Sequence, residues 1–156
     1  GRRGAEPLPL YNNFVIKREY EYRKELDMPP TQIMFYKDDT GRVPALEWLQ
    51  DLCHQDRRGF TKCMARIHRL AELGHELRRP EADFLRDGIY ELRARQGHIN
   101  YRMLYFFHGR TVAILCHALT KEDKVLDADI DRAIRSKRAF ERDPEGRSYE
   151  EALSNG

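Results

Sequence analysis

Positively charged side chains dominate the middle of this 156-residue chain and suit the binding of phosphate groups. Between residues 57 and 110 the sequence has twelve Lys and Arg but six Asp and Glu, and eleven of the twelve cations are arginine. The planar guanidinium group donates paired N–H bonds that match the spacing of phosphate oxygens. The pattern indicates either a polyanionic partner, such as a nucleic acid, or an arginine-rich helix face in solvent.

Four side chains are candidates for chemistry on a phosphate: Arg93, Arg102, His117 and Lys121. Arg102 lies between apolar neighbours, where a charge is unusual unless it faces a site or pairs with Glu91. Arg93 is two residues from Glu91, so a salt bridge is its alternative role as well. Imidazole groups transfer protons well near neutral pH, although His117 in an apolar strand could equally be a core residue. Lys121 follows that strand, where it would bind phosphate, act as a base or simply be solvated.

Six further side chains could hold a substrate: Arg58, Lys62, Arg66, Arg95, Tyr90 and Tyr105. The first three, with Arg69, recur at helical spacing and could contact phosphates without reading a base sequence. Their alternative role is a solvated helix face. The two tyrosines could stack on bases, but tyrosines in strands usually serve in packing.

The sequence predicts no metal site and no cofactor. Cys53, Cys63 and Cys116 are an odd number without C-x-x-C spacing, so a disulfide framework or a paired-ligand zinc site is not expected. The chain also has no G-x-S-x-G, P-loop or G-x-G-x-x-G motif, which disfavours hydrolases of that kind, NTPases and dinucleotide-binding enzymes.

Hydrophobic periodicity predicts the elements that would position these residues. A strand at 33–36 is followed by helices from Pro44 and over 57–73, three strands at 89–95, 100–107 and 111–119, and a helix over 128–140. Grouped strands favour an α+β fold: a small antiparallel twisted sheet with two N-terminal helices packed on it and a C-terminal helix, all on one side. The length suits one domain.

The predicted domain spans residues 31–142. Residues 1–30 contain Pro7, Pro9 and the Pro29-Pro30 pair and form too thin an apolar stripe to fold alone, so we expect a flexible or weakly ordered extension. Residues 143–156 are expected to form a C-terminal tail. The chain has neither a signal-peptide pattern nor an apolar run of membrane-spanning length, and a cytoplasmic location is expected.

Three segments in order resemble the RelE/HigB-like toxin family, and more narrowly its phage-derived HigB-like branch. They are L-R-D-G-I-Y-E-L-R at 85–93, Y-R-M-L-Y-F at 101–106 and A-I-L-C-H-A-L-T-K at 113–121. The resemblance covers about residues 31–142 and implies a compact microbial RNase fold. It implies that Arg102, the arginine of the family's Y-R pair, contacts phosphate and that Arg93 is the functional arginine of its E-L-R segment. Lys121 matches the first member of the family's Lys-Lys pair, whose second position is Glu122 here.

The resemblance also implies a function: the toxin of a type II toxin–antitoxin system, acting as a ribosome-dependent mRNA endoribonuclease without a metal. The implied partners are a cognate antitoxin, the ribosome and mRNA, with no membrane. Relatives of the ParE kind share the fold but act on DNA gyrase, so a non-enzymatic inhibitor of a protein target is the alternative. An inactive phage-derived binding module is another. An RNase requires Arg93, Arg102 and Lys121 to converge on one phosphate.

Overall fold

The computed structural model describes residues 23, 25, 26, 29–120 and 124–151. Lys121 and most of the predicted N-terminal extension lie outside the described residues. The described elements are, in order, β1 (Gln32–Tyr36), α1 (Pro44–Gln55), α2 (Arg57–Leu73), a 3-10 turn (Gly74–Glu76), β2 (Ala82–Arg86), β3 (Ile89–Gln96), β4 (Ile99–His108), β5 (Val112–Thr120), α3 (Asp127–Arg142) and β6 (Ser148–Tyr149).

One six-stranded sheet forms the centre of an α+β fold, as the sequence predicts. Its strand order is β2-β3-β4-β5-β1-β6, and the sheet is mixed rather than purely antiparallel. Strand β1 runs parallel to β5, with Ile33 opposite Ala113, whereas the other four pairs are antiparallel. Both β1 and β5 are almost entirely apolar, and such strands lie inside a sheet where both faces are covered.

Helices cover both faces of the sheet, which corrects the expectation of a one-sided arrangement. Helices α1 and α2 pack with Leu92, Met103 and Leu115 on what we call the α1/α2 face. Helix α3 packs on the opposite face, the α3 face, where Ile130, Ala133 and Phe140 join its core. Consecutive strand residues point to opposite faces, so strands with apolar residues at successive positions need a cover on each side.

Helix α2 is tied to strand β4 at its first turn. The Asp56 carboxylate accepts a hydrogen bond from the Gly59 backbone N–H (3.1 Å) and another from the Tyr101 hydroxyl (2.6 Å). A side chain at position 59 would collide with the Tyr101 ring, so glycine allows this close approach. The helix ends at Gly74, whose φ of +53° favours glycine.

Two short strands complete the sheet and were not predicted. β2 pairs antiparallel with β3, and β6 pairs antiparallel with β1 through Tyr36 and Ser148. β6 lies in the segment 143–156, for which the sequence predicts a tail. None of the helices in the described part of the chain is long and apolar enough to cross a membrane.

Candidate functional site

Arg93 and Arg102 lie directly opposite each other in the antiparallel β3–β4 pair. Their neighbours Leu92 and Met103 also oppose each other and belong to the core on the α1/α2 face. Since side chains alternate along a strand, both arginines lie on the α3 face. Like charges placed opposite each other in a sheet repel, so this arrangement requires a counter-charge.

The buried carboxylate of Glu91 supplies that counter-charge. The residue is 2% exposed, and its Oε1 accepts a hydrogen bond from Arg102 Nη1 at 2.9 Å. Its Oε2 accepts from Arg93 Nε at 2.8 Å and lies 2.7 Å from Arg93 Nη2. One carboxylate therefore bridges two guanidinium groups and fixes the orientation of both.

Asp83 on strand β2 extends the network to the edge of the sheet. Its Oδ2 lies 3.2 Å from Arg93 Nη2 and 2.8 Å from Arg79 Nη2. The hydrogen bond from Arg79, followed by the charges of Arg79 and Arg93, holds the pKa of Asp83 below its ordinary value. We call Asp83, Glu91, Arg93 and Arg102 the Glu91 cluster.

The Glu91 cluster opens into a cavity of about 490 Å³. Its lining is Asp83, Leu85, Glu91, Arg93, Arg102, Lys124 and Val125. Three cationic side chains and two carboxylates thus meet at one surface. Such a site can bind an anion at guanidinium and ammonium groups whose geometry is fixed before binding.

His117 lies on the same face but outside this cavity. It opposes Leu104 in β4, and Leu104 belongs to the core under α3. The His117 Nε2 atom lies 3.0 Å from Asp129 Oδ1, in the first turn of α3. The structure therefore places three of the four predicted catalytic residues on one face, with His117 bonded to a helix. The fourth, Lys121, lies outside the described residues.

Tyr90 and Tyr105 lie on the other side of the sheet from the two arginines. They oppose each other in the β3–β4 pair, and their rings stack at 5.4 Å between centroids. Tyr105 is buried, which raises the pKa of its hydroxyl. The structure therefore does not bring these two rings to the cavity. Arg95 is exposed, and its Nε donates to the Gly97 carbonyl oxygen at 2.8 Å, also away from the cavity lining.

Four of the basic residues of α2, Arg58, Lys62, Arg66 and Arg69, fall into two pairs. Arg66 Nε donates to the Arg93 carbonyl oxygen at 2.7 Å, and Arg66 Nη1 lies 2.8 Å from Glu81 Oε2. Arg69 binds the same carboxylate at 2.9 Å. Arg66 thus braces the strand that carries Arg93, whereas Arg58 and Lys62 are exposed on the helix. Because α2 packs on the α1/α2 face, these basic residues of α2 are separate from the Glu91 cluster on the α3 face.

Two charged residues that line the cavity, Asp83 and Lys124, were not identified as site residues from the sequence. Asp83 depends on strand β2, and the signal for β2 was the Asp87-Gly88 pair between β2 and β3. Asp87 and Gly88 both have positive φ, 53° and 82°. Asp-Gly at such positions is a strong hairpin signal. Lys124 lies between β5 and α3, where no periodic pattern predicts its position.

A family model described as phage derived protein Gp49-like (DUF891) matches residues 47–138, more than half of the chain. The match includes α2, all of α1 except its first three residues, and every residue of the Glu91 cluster. A search of curated proteins finds no significant match. The chain therefore belongs to the Gp49-like phage-derived family, a toxin-like family within the RelE/HigB-like toxin superfamily.

Proposed function

We propose that this protein is the HigB-like toxin of a type II toxin–antitoxin system and cleaves messenger RNA on the ribosome. The observation that carries the proposal is the placement of Arg93 and Arg102 side by side, both held by the buried Glu91 at the edge of a cavity. Two rigidly held guanidinium groups suit a phosphate that gains charge during a reaction. Membership of a toxin-like family supports the same conclusion.

The proposed reaction needs no metal and uses the RNA itself as the nucleophile. A base removes the proton from the ribose 2′-hydroxyl, and the 2′-oxygen forms a bond to the adjacent phosphorus. The bond from phosphorus to the 5′-oxygen of the next nucleotide breaks, and that oxygen takes a proton. The products are a 2′,3′-cyclic phosphate and a 5′-hydroxyl group. The pentavalent intermediate carries more negative charge than the substrate, so fixed cations stabilise it selectively.

The described residues suggest a role for each side chain in the proposed reaction. Arg93 and Arg102 contact the phosphate oxygens, and Glu91 positions both guanidinium groups. Lys124 adds a positive charge at the cavity. Lys121 is proposed as a phosphate contact or base from the family resemblance. His117 is proposed as a proton donor or acceptor, which requires it to exchange its bond to Asp129 for one to the RNA.

The proposed partners follow from this role. The toxin-like family supports a cognate antitoxin, and an acidic, partly disordered antitoxin segment would suit the basic middle of the chain. On the α1/α2 face, Arg58 and Lys62 are exposed and are proposed to contact phosphates of ribosomal RNA.

One observation favours a second candidate function, a ParE-like inhibitor that binds a protein target without cleaving RNA. The Glu91 and Asp83 carboxylates already accept hydrogen bonds from Arg93 and Arg102. Guanidinium groups engaged in this way can serve the fold and a docking surface without binding a phosphate. The two candidates differ in whether RNA is cut.

Primer extension on messenger RNA from a reconstituted translation reaction tests the proposal. Wild type, Arg102→Ala and Lys121→Ala are each assayed with and without ribosomes. Loss of a preorganised cation at the reacting phosphate lowers the rate by about 10²–10³-fold, so we expect ribosome-dependent cuts from the wild type and almost none from the variants.

Arg110→Ala is the matched control, because Arg110 is exposed in the β4–β5 turn and is not part of the cavity lining. It should cut like the wild type. Intact RNA with a folded wild-type protein would refute the RNase proposal and favour the protein-binding candidate. Cuts that are equally strong in Arg102→Ala would refute the assignment of the site.

A further inference from the structure

A second cavity, of about 450 Å³, lies beside α3 at the other end of the sheet. Its wall is formed by Tyr36 at the end of β1, Cys116 in β5 and the face of α3 that carries Arg132, Arg135 and Arg142. No residue lines both this cavity and the cavity of the Glu91 cluster. We call it the α3 cavity.

Three of the four arginines that line the α3 cavity, those of helix α3, form no ion pair with a carboxylate of the described residues. Among the described residues, the guanidinium groups of Arg132, Arg135 and Arg142 take part in no hydrogen bond and no ion pair. Other charged side chains of the same helix do form such contacts: Lys137 Nζ lies 3.1 Å from Glu141 Oε2, and Asp131 Oδ1 lies 2.7 Å from Arg86 Nη2. The lining as a whole holds four arginines, the fourth being Arg147, and three aspartates, Asp38, Asp39 and Asp143, so its formal charge is +1.

Two of the three acidic residues of the cavity lining accept hydrogen bonds within their own turns. Asp38 Oδ1 accepts hydrogen bonds from the Thr40 backbone and hydroxyl and from the Arg42 backbone. Asp143 Oδ1 accepts one from the Gly146 backbone at 3.1 Å. These carboxylates therefore stabilise the turns that carry them. The Asp39 carboxylate is exposed, so its oxygens can accept hydrogen bonds from hydroxyl groups of a ligand.

The hydroxyl groups of Tyr36 and Ser136 also line the cavity. Burial raises the pKa of the Tyr36 hydroxyl, an effect opposed by the positive charge of Arg147. The hydroxyl therefore stays protonated and can donate to an anion at neutral pH. Ser136, on the buried side of α3, adds a second hydroxyl.

We propose that the α3 cavity binds a nucleotide through its phosphate group, with Arg132, Arg135 and Arg142 as the phosphate contacts. The volume lies within the range of small-molecule sites. Guanidinium forks match phosphate oxygens, and the hydroxyls of a ribose match the Asp39 carboxylate. The phosphate could belong to a free mononucleotide or to an RNA strand. The site is distinct from the Glu91 cluster, so the proposal does not depend on RNA cleavage.

Titration of the ¹⁵N-labelled full chain with AMP, adenosine and a short single-stranded oligouridylate, followed by NMR, tests this proposal. AMP is expected to saturate and to move the signals of α3 and Tyr36, whereas adenosine is not. Removing one guanidinium in Arg135→Gln should weaken AMP binding by at least about tenfold. Arg138→Gln is the matched control, because Arg138 is an exposed arginine of the same helix outside the cavity lining.

The two phosphate probes distinguish the sources of the ligand. Binding of AMP alone supports a free nucleotide, and Arg135-dependent binding of the oligouridylate supports an RNA strand. Absence of saturable binding by both phosphate probes overturns the proposal. Binding of adenosine as tightly as AMP also overturns it, as does unchanged affinity in Arg135→Gln. Unfolding curves of both variants confirm that each protein is folded at the assay temperature.

Discussion

Glu91 reaches across the β3–β4 pair to Arg102, with 2.9 Å between Glu91 Oε1 and Arg102 Nη1; the Glu91 side chain is 3% exposed and that of Arg102 15%. The other carboxylate oxygen holds Arg93. This single residue lets two arginines occupy opposite positions in a sheet and keeps both guanidinium groups in fixed orientations. The same contacts therefore serve the stability of the fold and the proposed binding of a phosphate.

Breaking the Glu91–Arg102 pair from either side should destabilise the protein strongly. Glu91→Gln removes the negative charge that the two guanidinium groups share and leaves Arg93 with Asp83 alone. Arg102→Met leaves a buried carboxylate with one partner fewer. Removing one member of a buried ion pair costs about 3–5 kcal/mol. Urea denaturation should show this loss for each variant, and the double variant should lose less than the two single losses combined. Strictly additive losses would contradict an energetic coupling between the residues.

Arg66 and Lys62 lie four residues apart on α2, and their substitutions should differ in effect. Arg66 bonds to the Arg93 carbonyl and to Glu81, so Arg66→Gln should lower the free energy of unfolding by about 1 kcal/mol, a figure reduced for solvent screening. Lys62→Gln should change it by less than about 0.5 kcal/mol. If chemical denaturation gives the same free energy of unfolding for Arg66→Gln and Lys62→Gln, the contacts of Arg66 add nothing to stability.

Asp56 should contribute to acid unfolding. The hydrogen bond from the Tyr101 hydroxyl, then that from the Gly59 N–H, holds the pKa of Asp56 below its ordinary value. A depressed folded-state pKa stabilises the protein above the unfolded-state pKa, and this stability is lost as the pH falls through the folded-state pKa. Asp56→Asn should therefore flatten the loss of stability below about pH 4. The measurement is the free energy of unfolding between pH 7 and pH 3.

The three thiols should react in a fixed order. Burial raises the pKa of Cys63 and of Cys116 to about 12, so the reactive thiolate form of both is scarce. Cys53 is half-buried near the end of α1. A thiol reagent at pH 8 should label one cysteine rapidly in the folded protein and all three in denaturant. Mass spectrometry of the first adduct should locate it on Cys53, and rapid labelling of Cys63 or Cys116 would contradict their burial.

Much of the fold was predictable because its periodicity is strong. The alternation in 89–95 and the helical spacing in 57–73 predicted β3 and α2 at their observed positions. The pairing of β1 with β5 was not predictable, because an apolar strand pattern does not specify a parallel or antiparallel neighbour. The face of the sheet that α3 covers was not predictable either, because an apolar stripe at Ile130 and Ala133 fits either face.

The site was predictable where its residues share one strand. Alternation in β3 places Glu91, Arg93 and Arg95 on one face, so a pairing of Glu91 with the arginines could be expected. The contact between Asp83 and Arg93 was not, since it depends on the register of an edge strand. The same alternation argues against Tyr90 as a site residue. It places Arg93 on the α3 face and Tyr90 on the α1/α2 face.

The most direct test of the central claim uses ribosome complexes on a messenger that carries one 2′-deoxynucleotide at the mapped cut. The proposed reaction requires the 2′-hydroxyl at that position. We expect the unmodified messenger to give a 2′,3′-cyclic phosphate end and the deoxy-substituted messenger to stay intact at that nucleotide. A cut that persists at the deoxynucleotide would contradict the proposed chemistry, and an intact unmodified messenger would contradict the assignment of the Glu91 cluster as an RNase site.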